Sequence, residues 1–354
     1  MNSEFSGTMN VFELTRALVD IESTTNHEAP VGEYLFAHLS RLAAHSGGRV
    51  ERCPVKRDRF NIFAQWGDPI VTLSTHMDTV PPFFPSSEDA EYIWGRGSAD
   101  AKGIIAAMIV ATEQLLAAGV RNVGLLFVVG EERNSAGAYA AAKDPRGSRY
   151  LINGEPTENK LASATKGVLR YEIIAGGKLA HSAYPELGES AIDKLLDALE
   201  RIRQMDLPAD SLLGTTTVTI GVISGGRAPN VIPDEAKAEL SIRIIGDPEP
   251  VRAAILRAAG DRVESREVLF TPAIHFDPLD GFETTVVAFT SDIPSFDGAW
   301  GKPFLLGPGN IHLAHTSEER VAKRELAEAA QIYQRMVRHL LAVDSRTAAT
   351  VAQP

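Results

Sequence analysis

Between Val71 and Gly154 the chain alternates strand-length apolar runs with helix-length segments, and this alternation constrains the fold more than any other feature. Val71–Thr75, Asn122–Gly130 and Tyr150–Gly154 read as strands, and Gly103–Ala118 and Ser135–Ala142, lying between them, read as helices. The Asn122–Gly130 run is apolar nearly throughout, the pattern of a strand covered on both faces. Strand, helix, strand, helix, strand predicts an α/β fold: a mixed, largely parallel sheet covered by helices. Phe60–Gln65 adds a strand, and Val11–Ile21 and Pro30–Ala44 carry apolar residues at helical spacing.

The pattern changes near Thr165. Gly167–Ala175, Thr215–Ile223, Ala236–Ile245 and Arg262–Phe270 read as strands, with helices over Glu189–Gln204 and Pro250–Ala259. Strands flanking two helices predict a smaller α+β domain over residues 165–272, inserted into a domain made of residues 1–164 and 273–354. A chain of 354 residues is long enough for two cores. Glu318–Ala342 reads as a strong helix, and the tail after Val343 is expected to fray.

Charge and composition exclude several classes of function. The net charge is −11, with no cluster of five or more Lys and Arg, so no nucleic acid or anionic membrane is expected as a partner. The apolar run near Gly103–Ala111 is too short to span a bilayer. Met1–Asn10 shows no signal pattern, so a cytoplasmic location is expected. The single cysteine, Cys53, cannot form an internal disulfide.

Functional groups in open α/β sheets gather where strands end. His76 and Asp78 follow one strand, Glu131 and Glu132 a second, and Glu155 a third. Asp100 lies in the glycine loop before a helix, and His315 comes late in the chain. Imidazole nitrogen with carboxylate oxygen is the donor set of a catalytic zinc site. Two histidines and three carboxylates exceed what one ion needs and suit two ions sharing a bridging carboxylate, an arrangement that activates water for hydrolysis. Each residue also has an ordinary reading. Glu131-Glu132 could be an acidic pair at a helix start, Asp100 a helix N-terminal carboxylate and Glu155 a turn residue, while His312 competes with His315. Other motifs fail. Gly176-Gly177-Lys178 lacks the remaining positions of a phosphate loop, and no Gly-x-Ser-x-Gly elbow is present.

Six stretches carry a resemblance: Ser74 to Pro81, Gly95 to Gly103, Gly130-Glu131-Glu132, Asn153 to Thr157, Ala180 to Pro185 and Ala314 to Glu319. In this order they resemble the zinc-dependent amidohydrolase family that contains acetylornithine deacetylase, succinyl-diaminopimelate desuccinylase, aminoacylase and glutamate carboxypeptidase. Asp100-Ala101-Lys102-Gly103 and Thr165-Lys166-Gly167 lean toward the acetyl-lysine and acetyl-ornithine deacetylases, although Ala101 stands where relatives often carry Met or an acid. The resemblance implies two divalent ions, zinc by default, with cobalt or manganese able to use the same ligands. It implies that Asp100 bridges them, with His76 and Glu155 on one ion and Glu132 and His315 on the other. Glu131 would be the general base, and Asp78 would accept the second ring N–H of His76.

The resemblance further implies that His181 stabilises the oxyanion in a partner subunit's site. The protein would then be a homodimer through its inserted domain, which also acts as a lid. Asn230 and Arg243 would bind substrate, and the backbone N–H groups of Gly307 and Gly309 would approach its carboxylate. The implied activity is removal of an N-acyl group from an amino acid such as ornithine or lysine. The alternatives are a metallo-carboxypeptidase or dipeptidase and, in another class, a catalytically silent amino-acid-binding protein of the same fold.

Overall fold

The computed structural model describes residues 9–351. Residues 1–8, where the absence of a signal pattern was read, lie outside the described residues. The chain forms two compact units. The first takes the residues up to Ala162, Asp277–Thr285 and those from Ser291 onward; the second takes Ser163–Phe276 and Val286–Thr290.

The first unit is built on a six-stranded sheet. Its spatial order is Arg49–Lys56, Arg59–Trp66, Val123–Val128, Val71–His76, Tyr150–Asn153 and Lys302–Leu305. The first two neighbouring pairs are antiparallel and the remaining three parallel, so the sheet is mixed and largely parallel. Every residue of Val71–His76 and Val123–Val128 is buried, which is why both read as unbroken apolar runs. The outermost strands escape a sequence reading because they are edges. Arg49–Lys56 alternates exposed and partly buried residues and contains Pro54, and Lys302–Leu305 is short and contains Pro303. Proline is tolerated at such positions, where a ladder N–H can be spared.

Local chemistry sets the helix ends. Asn10 accepts the N–H groups of Phe12 and Glu13 at 2.9 and 3.0 Å, while Glu13 accepts that of Asn10 at 3.1 Å. This reciprocal cap starts Val11–Val19. Gly47, at φ 75°, ends Ala29–Ser46 in the left-handed conformation a side chain disfavours. Lys102–Ala117 is buried along nearly its whole surface, because it lies between the sheet and the helices Val11–Val19 and Lys323–Val351. A helix apolar on all sides needs such a place. Its isoleucines Ile104, Ile105 and Ile109 are fully buried, each contributing about 1.5–3 kcal/mol.

The final helix begins later than its apolar periodicity suggests, since Arg320–Ala322 pairs with Tyr92–Trp94 before the helix starts at Lys323. It also continues to Val351, so the expected fraying after Val343 is not seen in its backbone. No helix among the described residues is long and apolar enough to cross a membrane.

Gly154, between the strand and Glu155, is pressed against that buried helix. A Cβ there would stand 2.6 Å from Met108 Cε. Gly154→Ala is therefore expected to destabilise the fold by about 1–3 kcal/mol. A urea denaturation midpoint unchanged from the parent chain would count against this packing.

The second unit holds a four-stranded antiparallel sheet in the order Thr217–Gly225, Glu235–Ile244, Gly167–Gly176 and Glu264–Thr271. The helices Ala191–Arg203 and Glu249–Ala259 cover one face, packing Leu195, Leu199 and Ile255 against Leu169, Ile173 and Leu240. The alternation of Glu235–Ile244 follows from this. Ala236, Ala238, Leu240 and Ile242 point to the helices, and Lys237, Glu239, Ser241 and Arg243 to the other face.

Candidate active site

The parallel strands of the first unit end at one edge, and their exits carry the reactive side chains. His76 closes Val71–His76, and Glu131-Glu132 lie in the turn after Val123–Val128. Glu155 follows Tyr150–Asn153. Asp100 lies just ahead of the Lys102–Ala117 helix, and its peptide bond to Ala101 is cis. His315 sits in a turn at φ 63°, a strained value for a residue with a side chain.

The two oxygens of Asp100 face different histidines. Oδ1 lies 2.9 Å from His76 Nε2 and Oδ2 lies 3.2 Å from His315 Nε2. Glu132 completes the second half, with Oε1 and Oε2 at 3.1 and 3.0 Å from His315 Nε2. Donor atoms of His76, Asp100 and Glu132 all lie within 4.8 Å of one another. The ring of His312 is not part of this group.

Asp78 has a second set of contacts besides those with His76. His76 Nδ1 is 2.9 Å from the backbone carbonyl of Asp78 but 3.6 Å from its carboxylate. The Nδ1–H donates to that carbonyl, and this turns Nε2 toward Asp100. The carboxylate also accepts backbone N–H groups from Gly130 at 2.9 Å, Glu131 at 3.1 Å and Glu132 at 3.4 Å, and the Thr25 hydroxyl at 2.8 Å. Asp78 thus holds the turn that presents Glu131 and Glu132. The buried Glu28–Arg59 ion pair backs the same turn, and a Cβ on Gly130, at φ 85°, would stand 2.7 Å from Arg59 Nη2. The turn precedes the Ala136–Ala142 helix rather than starting it, which removes the helix-dipole reading of the acidic pair. Asp78→Asn turns an amide toward these donors, and turnover is expected to fall about 10–100-fold. Steady-state kinetics check this, and an unchanged kcat would remove the role.

The electrostatics show a cluster short of positive charge. Burial drives the carboxyls of Glu131 and Glu155 well above their usual range, and neighbouring carboxylates add to the effect. Burial would also raise Asp100, but its bonds to His315 and His76 outweigh that and hold it well below. His315 is pushed up to about 10 by Asp100 and Glu132. Asp292, fully buried nearby, is raised to about 7, chiefly by burial.

These residues fit divalent cations. Glu155 Oε1 is buried with no hydrogen-bond partner, as are both carboxylate oxygens of Asp292. Donor atoms about 2.0–2.2 Å from a tetrahedral ion stand roughly 3.3 Å apart, close to the 2.9–3.2 Å separations around Asp100. Buried carboxylates in such number need counter-charge, and two histidines supply too little of it.

The remaining sequence candidates are placed as follows. Gly307 donates its N–H to Thr157 Oγ1 at 3.0 Å and Gly309 to Glu325 at 2.9 Å, so both groups expected to meet a substrate carboxylate are already engaged. Their lack of a side chain serves packing instead, because a Cβ on Gly307 would stand 2.6 Å from the carbonyl of Glu155. In the second unit, His181 is exposed and pairs with Val231, and the Ser182 N–H reaches the Asn230 carbonyl at 3.0 Å, so these two loops lie together. Arg243 lies on the uncovered sheet face. Thr25 and Asp292 lie outside the resembling stretches, and Arg96 and Glu319 lie inside two of them without an assigned role. Glu319 stood inside a quoted motif, but nothing in its spacing marks it as buried.

The family model for peptidase family M20/M25/M40 matches residues 72–339, a span that includes every residue of the cluster. The chain belongs to this family. A peptidase M20 domain-containing protein of Schizosaccharomyces pombe is 38% identical over 94% of this chain and 85% of its own length. A probable carboxypeptidase of Aspergillus oryzae is 35% identical over 91% and 85%. Among solved structures, the M20 family metallo-carboxypeptidase Sso-CP2 of Sulfolobus solfataricus superposes with a TM-score of 0.75 at 15% identity, over 94% of this chain and 99% of that one. As an M20 member, the protein is a hydrolase of the metallopeptidase type, and the reading as an enzyme stands. These relatives carry peptidase names rather than deacetylase names.

Proposed function

We propose that this M20 enzyme is a two-metal carboxypeptidase or dipeptidase that hydrolyses a short peptide at an amide bond near a free carboxylate. The observation that carries the reading is Asp100, whose two oxygens face His76 and His315 separately while Glu131 stays outside that contact. Asp100 would be shared between two divalent ions, His76 and Glu155 would complete one site, and Glu132 and His315 the other. When bound, such ions polarise the amide carbonyl and make water acidic enough to ionise near neutral pH. Glu131, tethered beside the ligand Glu132, takes the proton of the attacking water and delivers it to the departing amine nitrogen.

Arg243 supports recognition of a free carboxylate. It is partly buried, and burial together with the charge of Arg170 lowers its pKa, so its cationic form lacks compensation. A carboxylate held by two of the guanidinium nitrogens would supply it. His181 as a donor to the oxyanion, Asn230 as a substrate contact and a homodimer through the second unit are carried over from the resemblance. Light scattering tests the dimer, and a fall in kcat for His181→Ala tests the donor.

The zinc-loaded chain should be assayed on dipeptides, C-terminally amidated dipeptides and N-acetyl amino acids. Free dipeptides are expected to exceed N-acetyl-ornithine and N-acetyl-lysine in kcat/KM by at least about tenfold. Turnover confined to the N-acetyl compounds would restore the deacetylase reading, and no turnover on any amide would restore the silent binding protein.

A further inference from the structure

Glu319 lies four residues beyond His315 and is 1% exposed. Its carboxylate is occupied by the loop that carries Asp100. Oε1 accepts the backbone N–H groups of Gly97 at 2.9 Å, Ala99 at 3.2 Å and Asp100 itself at 3.1 Å. Oε2 accepts Arg96 Nη1 at 2.5 Å, and the Glu319 carbonyl accepts the Gly95 N–H at 3.1 Å. Arg96 is equally buried; its Nε donates to the Pro82 carbonyl at 3.2 Å, and its guanidinium lies 5.0 Å from the centre of the Phe84 ring. Three N–H groups converge on one oxygen because the loop passes through Gly97 at φ 89°, where a Cβ would stand 2.9 Å from Thr79 Cγ2. Successive N–H groups turned inward in this way form an anion-binding nest.

Two stretches of chain more than two hundred residues apart, each carrying a metal-ligand candidate, are therefore joined by one buried carboxylate. We infer that Glu319 is a positioning residue of the metal centre. It docks the His315 segment onto the Asp100 loop and so sets where Asp100 stands between the two histidines. The inference rests on the two-metal reading above.

The physical reason lies in tolerance. A bridging carboxylate must present each oxygen to its ion within about half an ångström, and Asp100 sits on loop backbone rather than inside a strand or helix. The nest holds that backbone from beneath, through the N–H of Asp100 itself. Without the carboxylate, three backbone donors lose their acceptor and the Arg96 guanidinium loses one of its own, groups that are costly to leave buried and unpaired. The loop can relieve this by moving, and Asp100 would move with it.

A purely structural role for Glu319 predicts lower stability with unaltered metal chemistry, so the test reads the metal. Zinc affinity is measured by competition with a chromophoric chelator, and site geometry by the visible absorption of the cobalt-loaded protein. Glu319→Ala is expected to weaken zinc binding about 10–100-fold, to change the cobalt band and to lower kcat more than it changes KM. Glu319→Gln keeps one oxygen for the three N–H groups but turns an amide toward Arg96, and a smaller loss, about tenfold, is expected. If Glu319→Ala does not fold, Glu319→Gln decides. Leu39→Ala, in the core beneath the first unit's sheet, serves as the stability control, with a lower melting temperature and unchanged zinc affinity. Glu319 variants that bind zinc as tightly as the parent chain, with the same cobalt spectrum, overturn the inference. A parent chain that binds no zinc overturns the two-metal reading and this inference together.

Discussion

Glu131→Gln is expected to lower kcat by about 10²–10⁴-fold, the usual worth of a positioned general base, while leaving the metal content unchanged. The side chains are nearly isosteric, but an amide cannot take a proton from water. The backbone would be undisturbed, since the Glu131 N–H still reaches Asp78 at 3.1 Å and the turn is also held through Gly130 and Glu132. Glu132, the neighbour assigned to the metal, keeps its place beside His315. The measurement is steady-state kinetics on a cleaved dipeptide, paired with elemental analysis of the same preparation. A variant that retains its metal and loses less than about tenfold in kcat would move the base assignment to another group. A variant that loses metal would show Glu131 to be a ligand.

Removing Asp100 should have the broadest effect, because among the described residues it is the one carboxylate whose oxygens face both histidines. Asp100→Ala is expected to abolish measurable turnover and to reduce zinc from two ions per chain toward none, since neither half keeps its full ligand set. Chelation of the parent chain should do the same reversibly, with activity returning on addition of zinc or cobalt. Stability should follow the metal. A ligand present at a thousand times its Kd stabilises the native state by about 4 kcal/mol, so the metal-free chain should melt several degrees lower. In Asp100→Ala that gain on adding zinc should largely vanish. Equal melting temperatures with and without zinc in the parent chain would show that no tight site exists.

The particular elements show where legibility came from. Val71–His76 and Val123–Val128 announce themselves because central strands bury both faces and exclude polar residues. Arg49–Lys56 and Lys302–Leu305 do not, since edge strands answer to solvent on one side and tolerate charge and proline. The His76, Asp100, Glu132 and His315 cluster could be anticipated because strand exits are where an α/β sheet places reactive groups, and because the motifs occur in a recognisable order. For Asp78 the motif points only to His76. Its carboxylate also serves the Glu131-Glu132 turn, a partner fifty residues away that spacing alone does not reveal. Gly307 and Gly309 were read as open to a ligand, yet their N–H groups are satisfied within the fold.

By itself, the order of apolar runs and acidic exits determined the layered α/β architecture, the α+β character of the middle segment and the metal-ligand candidates. These are local properties, because burial on both faces and the chemistry of a donor atom are written in the residue types themselves. Only the tertiary structure decided which atoms meet: Asp100 between two histidines, Asp78 under the acidic turn, and Glu319 in the nest beneath Asp100. Those pairings depend on where distant backbone N–H groups point once the chain is packed. Every residue carries such a group, so no pattern of side chains along the sequence records it.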